Sequence, residues 1–94
     1  MNKLEKDNFL TAIGAHYKIQ RQVQGYTQEE VAEIIDVSER IIQQFEKGET
    51  NLSITSFVQL SYLLNVPYSF VKEPFNQYLY GSYQERKEII DRKK

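Results

Sequence analysis

Apolar residues along this chain recur every three or four positions and do not alternate with polar ones, so the pattern predicts helices and no strand. Leu10, Ile13 and Tyr17 define a first helix that closes at Gly25, a residue that takes the left-handed backbone of a helix end without steric cost. Thr27-Gln28-Glu29-Glu30 has the form of a capping box and starts a second helix, which presents Val31, Ala32 and Ile35 to one side and ends at Asp36. Ser38 is the expected N-cap of a third helix, with Ile42 and Phe45 inward and Gly48 just past its end. Ser53 caps a fourth, whose Ile54, Phe57, Ser61 and Leu64 form one stripe, and Asn65 closes it. Pro67 opens a short fifth helix over about Tyr68 to Lys72, which Pro74 is expected to stop. Beyond it Phe75, Tyr78, Tyr80 and Tyr83 gather around Gly81, and Ser82 with Glu85 offers another capping box for a thinly apolar sixth helix. The expected fold class is all-α. Residues 1–73, with a core at 10–72, form the domain, and residues 74–94 form an aromatic, then charged, helical extension.

Composition narrows the functions this fold can serve. Ninety-four residues with a net charge of −1 suit one domain and exclude a multidomain enzyme. No cysteine is present, which removes disulfides, thiolate catalysis and Cys-containing zinc sites, and leaves carboxylates and the single His16 as metal-ligand stock. His16 has no second ligand at metal spacing and reads as a surface or boundary residue, so neither metal nor cofactor is expected. Glu29, Glu30 and Glu33 are explained by capping and by the positive end of a helix more simply than by acid–base chemistry, so no enzyme is expected either. The first eight residues carry charges of both signs, and no later run approaches about 18 uncharged apolar residues, which predicts a cytoplasmic protein with no membrane partner.

Thr27 to Phe45 reads as helix, tight turn, helix, the unit that lays its second helix in a DNA major groove while the first crosses the backbone. Arg21, Gly25, the run Thr27 to Ala32, Val37, Ser38, Ile42, the run Phe45 to Gly48, Asn51, Ser53, Leu60, Leu64 and Val66 stand at ungapped spacing. In these residues the stretch from Ile13 to Val71 resembles the Cro and phage-repressor (Xre) family of helix-turn-helix domains. The resemblance implies a five-helix, lambda-repressor-like domain that binds double-stranded DNA. It also implies an ion pair between Arg21 and Glu46, joining the first helix to the end of the recognition helix, and base contacts from Glu39, Arg40, Gln43 and Gln44. Arg40 suits guanine, either glutamine suits adenine, and Glu39 can accept from cytosine N4. Gln28, in the first turn of the second helix, suits a phosphate together with the free N–H groups there. Ser38, Lys47 and Asn51 complete the expected DNA-binding set.

Three departures stand beside the matches. Residues 10–72 carry five basic against seven acidic side chains, a charge of −2, which predicts modest sequence-independent affinity for DNA. The loop Glu49-Thr50-Asn51-Leu52 lacks the basic residues and proline common in the family, whereas residues 82–94 carry a local +2. Ile34 and Ile41 fall where the family usually has polar side chains, which suggests a cover by a terminal extension or a partner. The expected function is a sequence-specific DNA-binding transcriptional regulator, a repressor. It would act as a homodimer on a two-fold operator, with Ser38 to Phe45 in the major groove and Tyr78, Tyr80, Tyr83 and Ile90 either at the dimer contact or packed on their own subunit. The alternative, favoured by the acidic core, is a protein-interaction module of the antitoxin-like or anti-regulator kind.

Overall fold

A computed structural model describes residues 1–94. Six helices follow one another: α1 (Lys3–Val23), α2 (Gln28–Ile35), α3 (Glu39–Glu46), α4 (Ile54–Leu63), α5 (Ser69–Tyr78) and α6 (Tyr80–Arg92). The all-α, helix-turn-helix architecture stands, with six helices in all where a five-helix domain with a helical extension was expected.

Local chemistry sets most of the boundaries. Asn2 and Glu5 form a capping box at α1, and Thr27 and Glu30 another at α2. Ser38 and Ser53 each accept a backbone N–H at the start of α3 and α4. Asp36 and Asn65 take positive φ angles of 62° and 52°, which short polar side chains tolerate, and so turn the chain after α2 and α4.

Tyr17 stands at the centre of a core formed with Ile13, Val31, Ala32, Ile35, Ile42, Phe45, Leu60 and Leu64. Its ring meets Phe45 edge-on at 5.6 Å and Phe57 at 5.2 Å, and its hydroxyl shares a 2.8 Å hydrogen bond with Ser61. α1 packs on α3 and α5, α2 on α3 and α4, and α5 on α6.

Four expectations need correction. α5 does not stop at Lys72 but continues through Pro74 to Tyr78. Pro74 forfeits the bond its N–H would make to the carbonyl of Phe70, but its ring is buried in a helix that packs along α1, and that burial offsets the loss. The Ser82–Glu85 capping box does not form, because α6 already begins at Tyr80 and the Ser82 hydroxyl donates to Glu5 Oε2 at 2.7 Å. In α4 the inward stripe is Phe57, Leu60, Ser61 and Leu64, while Ile54 points outward. Ile34 and Ile41 remain exposed, so neither terminal extension covers them.

The molecule measures 49 × 23 × 21 Å with a radius of gyration of 15.1 Å, against about 12 Å for a compact chain of this length. α6 accounts for the elongation, since it packs chiefly on α5, touches α1 through the Ser82–Glu5 bond, and buries no residue of its own.

Candidate nucleic-acid interface

The turn between α2 and α3 is three residues long. Asp36 reverses the backbone, the Val37 N–H donates to the Ala32 carbonyl at 3.0 Å, and the Ser38 hydroxyl accepts from the Ile41 N–H at 3.2 Å. Val31, Ala32 and Ile35 of α2 and Ile42 and Phe45 of α3 are buried together, which fixes the angle between the helices and faces the remaining side of α3 outward.

A buried polar node holds the C-terminal end of α3. Arg21 Nε donates to Glu46 Oε2 at 2.6 Å and Nη2 to Oε1 at 3.0 Å, a two-pronged pair with both side chains buried. The third guanidinium nitrogen, Nη1, donates to the Tyr26 carbonyl at 2.9 Å. Gln28 Nε2 donates to Glu46 Oε1 at 2.9 Å. Four segments therefore meet on one carboxylate and its partner: α1, the α1–α2 turn, the start of α2 and the end of α3.

The sequence-selected residues distribute as follows. Glu39 and Arg40 are exposed in the first turn of α3, and Gln43 and Gln44 are half-buried one turn later. Gln28, Gln43, Glu46 and Lys47 share a polar depression of about 350 Å³ with Lys18 of α1. Ser38 lies at the α3 cap with its oxygen engaged and its hydroxyl proton free to donate. Asn51 stands apart from this depression, exposed on the loop after Gly48, over a hollow lined by Phe9, Leu10 and Leu52.

Lys18 escaped the sequence reading. It sits one turn before Arg21 on α1, and since Arg21 was expected to reach Glu46, the i to i+3 spacing could have placed Lys18 near the same helix end.

The depression offers a cation pair, Lys18 and Lys47, and two amides around a carboxylate already neutralised by Arg21. It sits beside the first turn of α2, whose unbonded N–H groups and dipole favour an anion. Around it Glu29 and Glu30 add negative charge, and the Glu30 carboxyl is held below its ordinary pKa by the Thr27 backbone N–H and, secondarily, by the Thr27 side chain. No three metal-ligating side chains gather anywhere in the molecule, and no helix is long and apolar enough to cross a membrane.

The helix-turn-helix family (HTH_3) matches residues 18–71. Two curated relatives, each called an uncharacterized HTH-type transcriptional regulator, come from Sinorhizobium medicae (strain WSM419) and Rhizobium meliloti (strain 1021). Each is 29% identical over 72 residues, which is 77% of this chain and 52% of the relative, so the chain spans about half their length. Among solved structures, the restriction-modification controller protein C.AhdI from Aeromonas hydrophila is similar with a TM-score of 0.59 at 21% identity, over 66% of this chain and 94% of that one. The clp gene regulator ClgR from Corynebacterium glutamicum gives a TM-score of 0.65 at 22% identity, over 87% of this chain and 88% of its own. At such identities the likeness shows a shared fold.

Proposed function

The chain belongs to the helix-turn-helix family of the Xre/Cro type, and from that premise we propose that it is a sequence-specific DNA-binding regulator that represses transcription as a homodimer on a two-fold operator. The observation that carries this reading is the outward face of α3. A helix whose one side is locked into the core by Ile42 and Phe45 presents Glu39, Arg40, Gln43 and Gln44 on the other, side chains whose donor and acceptor groups match base edges. Lys18, Gln28 and Lys47 hold phosphate beside it, which sets register without reading sequence. Repression follows from occupancy: a protein seated in the major groove over a promoter excludes the transcription machinery.

The test is selection of bound sequences from a random duplex pool at two salt concentrations. A palindromic motif recovered at both supports the reading, and no enrichment at either defeats it.

The −2 charge of residues 10–72 favours a second reading, a protein-interaction module built on the same scaffold with weak DNA contact. That reading predicts no enriched motif and no loss of function on removing Arg40 or Gln44.

A further inference from the structure

Two adjoining hollows lie where the N-terminal half of α1 meets the loop between α3 and α4. The inner one, about 250 Å³, is walled by eight apolar side chains and Asn51, and it reaches the core at Ile13 and Phe45. The outer one, about 220 Å³, shares Phe9, Leu10 and Asn51 with it and adds Lys6. Lys6 is the only charged residue in either wall, and it joins none of the molecule's ion pairs, although Lys3 is paired with Asp7 on the same helix. Close-packed interiors leave few voids larger than a water molecule, so an apolar hollow of this size beside the core is room for a ligand.

We propose that the two hollows form one site for an aliphatic carboxylate, a small-molecule effector that opposes DNA binding. The opposition to DNA rests on the DNA-binding reading, whereas the site itself does not.

The lining selects the ligand. Phe9, Leu10, Leu52 and Val71 favour an alkyl chain, each buried methylene raising affinity about fourfold. An apolar cavity of about 150 Å³ takes a benzene, so by the same ratio the inner hollow holds about ten carbons. No acidic side chain lines either hollow, which leaves a cationic ligand without a partner, and a neutral one leaves Lys6 unused. A carboxylate at the boundary of the two hollows accepts from both the Lys6 ammonium and the Asn51 amide. Asn51 also belongs to the residues expected to touch DNA. A head group held there occupies its amide and sets a negative charge against an approaching phosphate.

Two-dimensional NMR of the isotope-labelled full chain, titrated with decanoate below its micelle concentration, tests the assignment. The expected result is saturable shifts at Phe9, Leu10, Leu52 and Val71, with octanoate binding at least about 5-fold more weakly for want of two methylenes. Lys6→Gln should weaken decanoate at least about 5-fold and leave decanol unchanged, with Tm at the wild-type value because Lys6 is exposed. Saturating decanoate should lower wild-type affinity for the selected operator at least about 5-fold. No saturable shift at these walls, or a Lys6→Gln chain that binds decanoate as well as wild type, overturns the proposal. So do wall resonances that move with protein concentration and not with decanoate, since the hollow then receives a second copy of the chain. Decanoate that binds there but leaves operator affinity unchanged overturns the effector role. If it binds there while no DNA motif can be selected, the site stands and the regulator reading falls.

Discussion

Gly14 of α1 and Phe45 of α3 meet backbone to backbone: a Cβ built on Gly14 would lie 2.3 Å from the Phe45 carbonyl oxygen and 2.8 Å from that of Glu46. No side-chain rotation relieves that contact, since both atoms belong to the main chain. Gly48, just past the end of α3, has φ +76°, and a Cβ there would lie 2.6 Å from the Cα of Thr11. α1 therefore rides directly on the end of α3 and sets its tilt. Gly14→Ala should destabilise the fold by about 1–3 kcal/mol through overpacking, despite a gain near 1 kcal/mol in helix propensity. Thermal unfolding checks this; an unchanged or higher Tm would mean that α3 can shift away from α1 at no cost.

Removing one partner of the Arg21–Glu46 pair leaves the other buried and uncompensated. Glu46→Ala strands the guanidinium, whose Nη1 keeps the Tyr26 carbonyl but whose Nε and Nη2 lose both acceptors, and it frees the Gln28 amide. The expected loss is about 3 kcal/mol or more. Arg21→Met combined with Glu46→Leu should cost less than Glu46→Ala alone, because no charge then remains buried. Urea unfolding of the three proteins decides it, and a double variant less stable than the single would contradict the account.

Glu30 gives stability a pH dependence. Its carboxylate accepts the Thr27 backbone N–H at 2.8 Å, and that bond, with a smaller contribution from the Thr27 side chain, holds its pKa below the ordinary 4.5. A group whose folded pKa is depressed stabilises the fold above its unfolded pKa and loses that contribution as pH falls through the folded value. Glu5 at the head of α1 is lowered in the same way, chiefly by the Asn2 backbone N–H. Wild-type Tm should therefore fall from about pH 5 to pH 3, and Glu30→Gln, which still accepts the bond but cannot titrate, should fall less steeply. Parallel curves for the two proteins would show that the box does not titrate with folding.

The elements legible in sequence were those that local chemistry decides. Thr27, Asp36, Ser38, Gly48, Ser53 and Asn65 each stop or start the backbone by a short-range bond or a permitted φ angle, and each could be read without knowing the fold. What was not legible depends on distant partners. Pro74 looked like a stop until burial against the rest of the chain outweighed one lost hydrogen bond. Ser82 looked like a cap until Glu5, far away in sequence, took its hydroxyl. Ile54 fitted the inward stripe by spacing, and only the packing of Leu60 and Ser56 shows that it faces out. Gly14 carried a faint signal, a glycine inside a helix at a cost of about 1 kcal/mol with no local purpose. At the candidate site, the residue types on α3 were readable, while the depression that gathers Lys18 with Gln28, Gln43 and Lys47 required three helices to be placed.

That depression and the face beside it make different demands on DNA, and substitution separates them. Arg40 offers paired donors and Gln44 a donor beside an acceptor, patterns of the kind that read base edges, so Arg40→Ala and Gln44→Ala should each cost about 1–3 kcal/mol on the selected operator and little on random duplex. Lys18 and Lys47 bring charge without directional information, so Lys18→Ala and Lys47→Ala should weaken binding to both duplexes alike and each reduce the slope of log affinity against log salt by about 1. All four side chains lie outside the buried core, and helicity and Tm should stay at wild-type values. Fluorescence anisotropy on the two duplexes at several salt concentrations distinguishes the classes. Equal losses on both duplexes for Arg40→Ala and Gln44→Ala would assign the α3 face to phosphate, and an unchanged salt slope for Lys18→Ala would remove α1 from the interface.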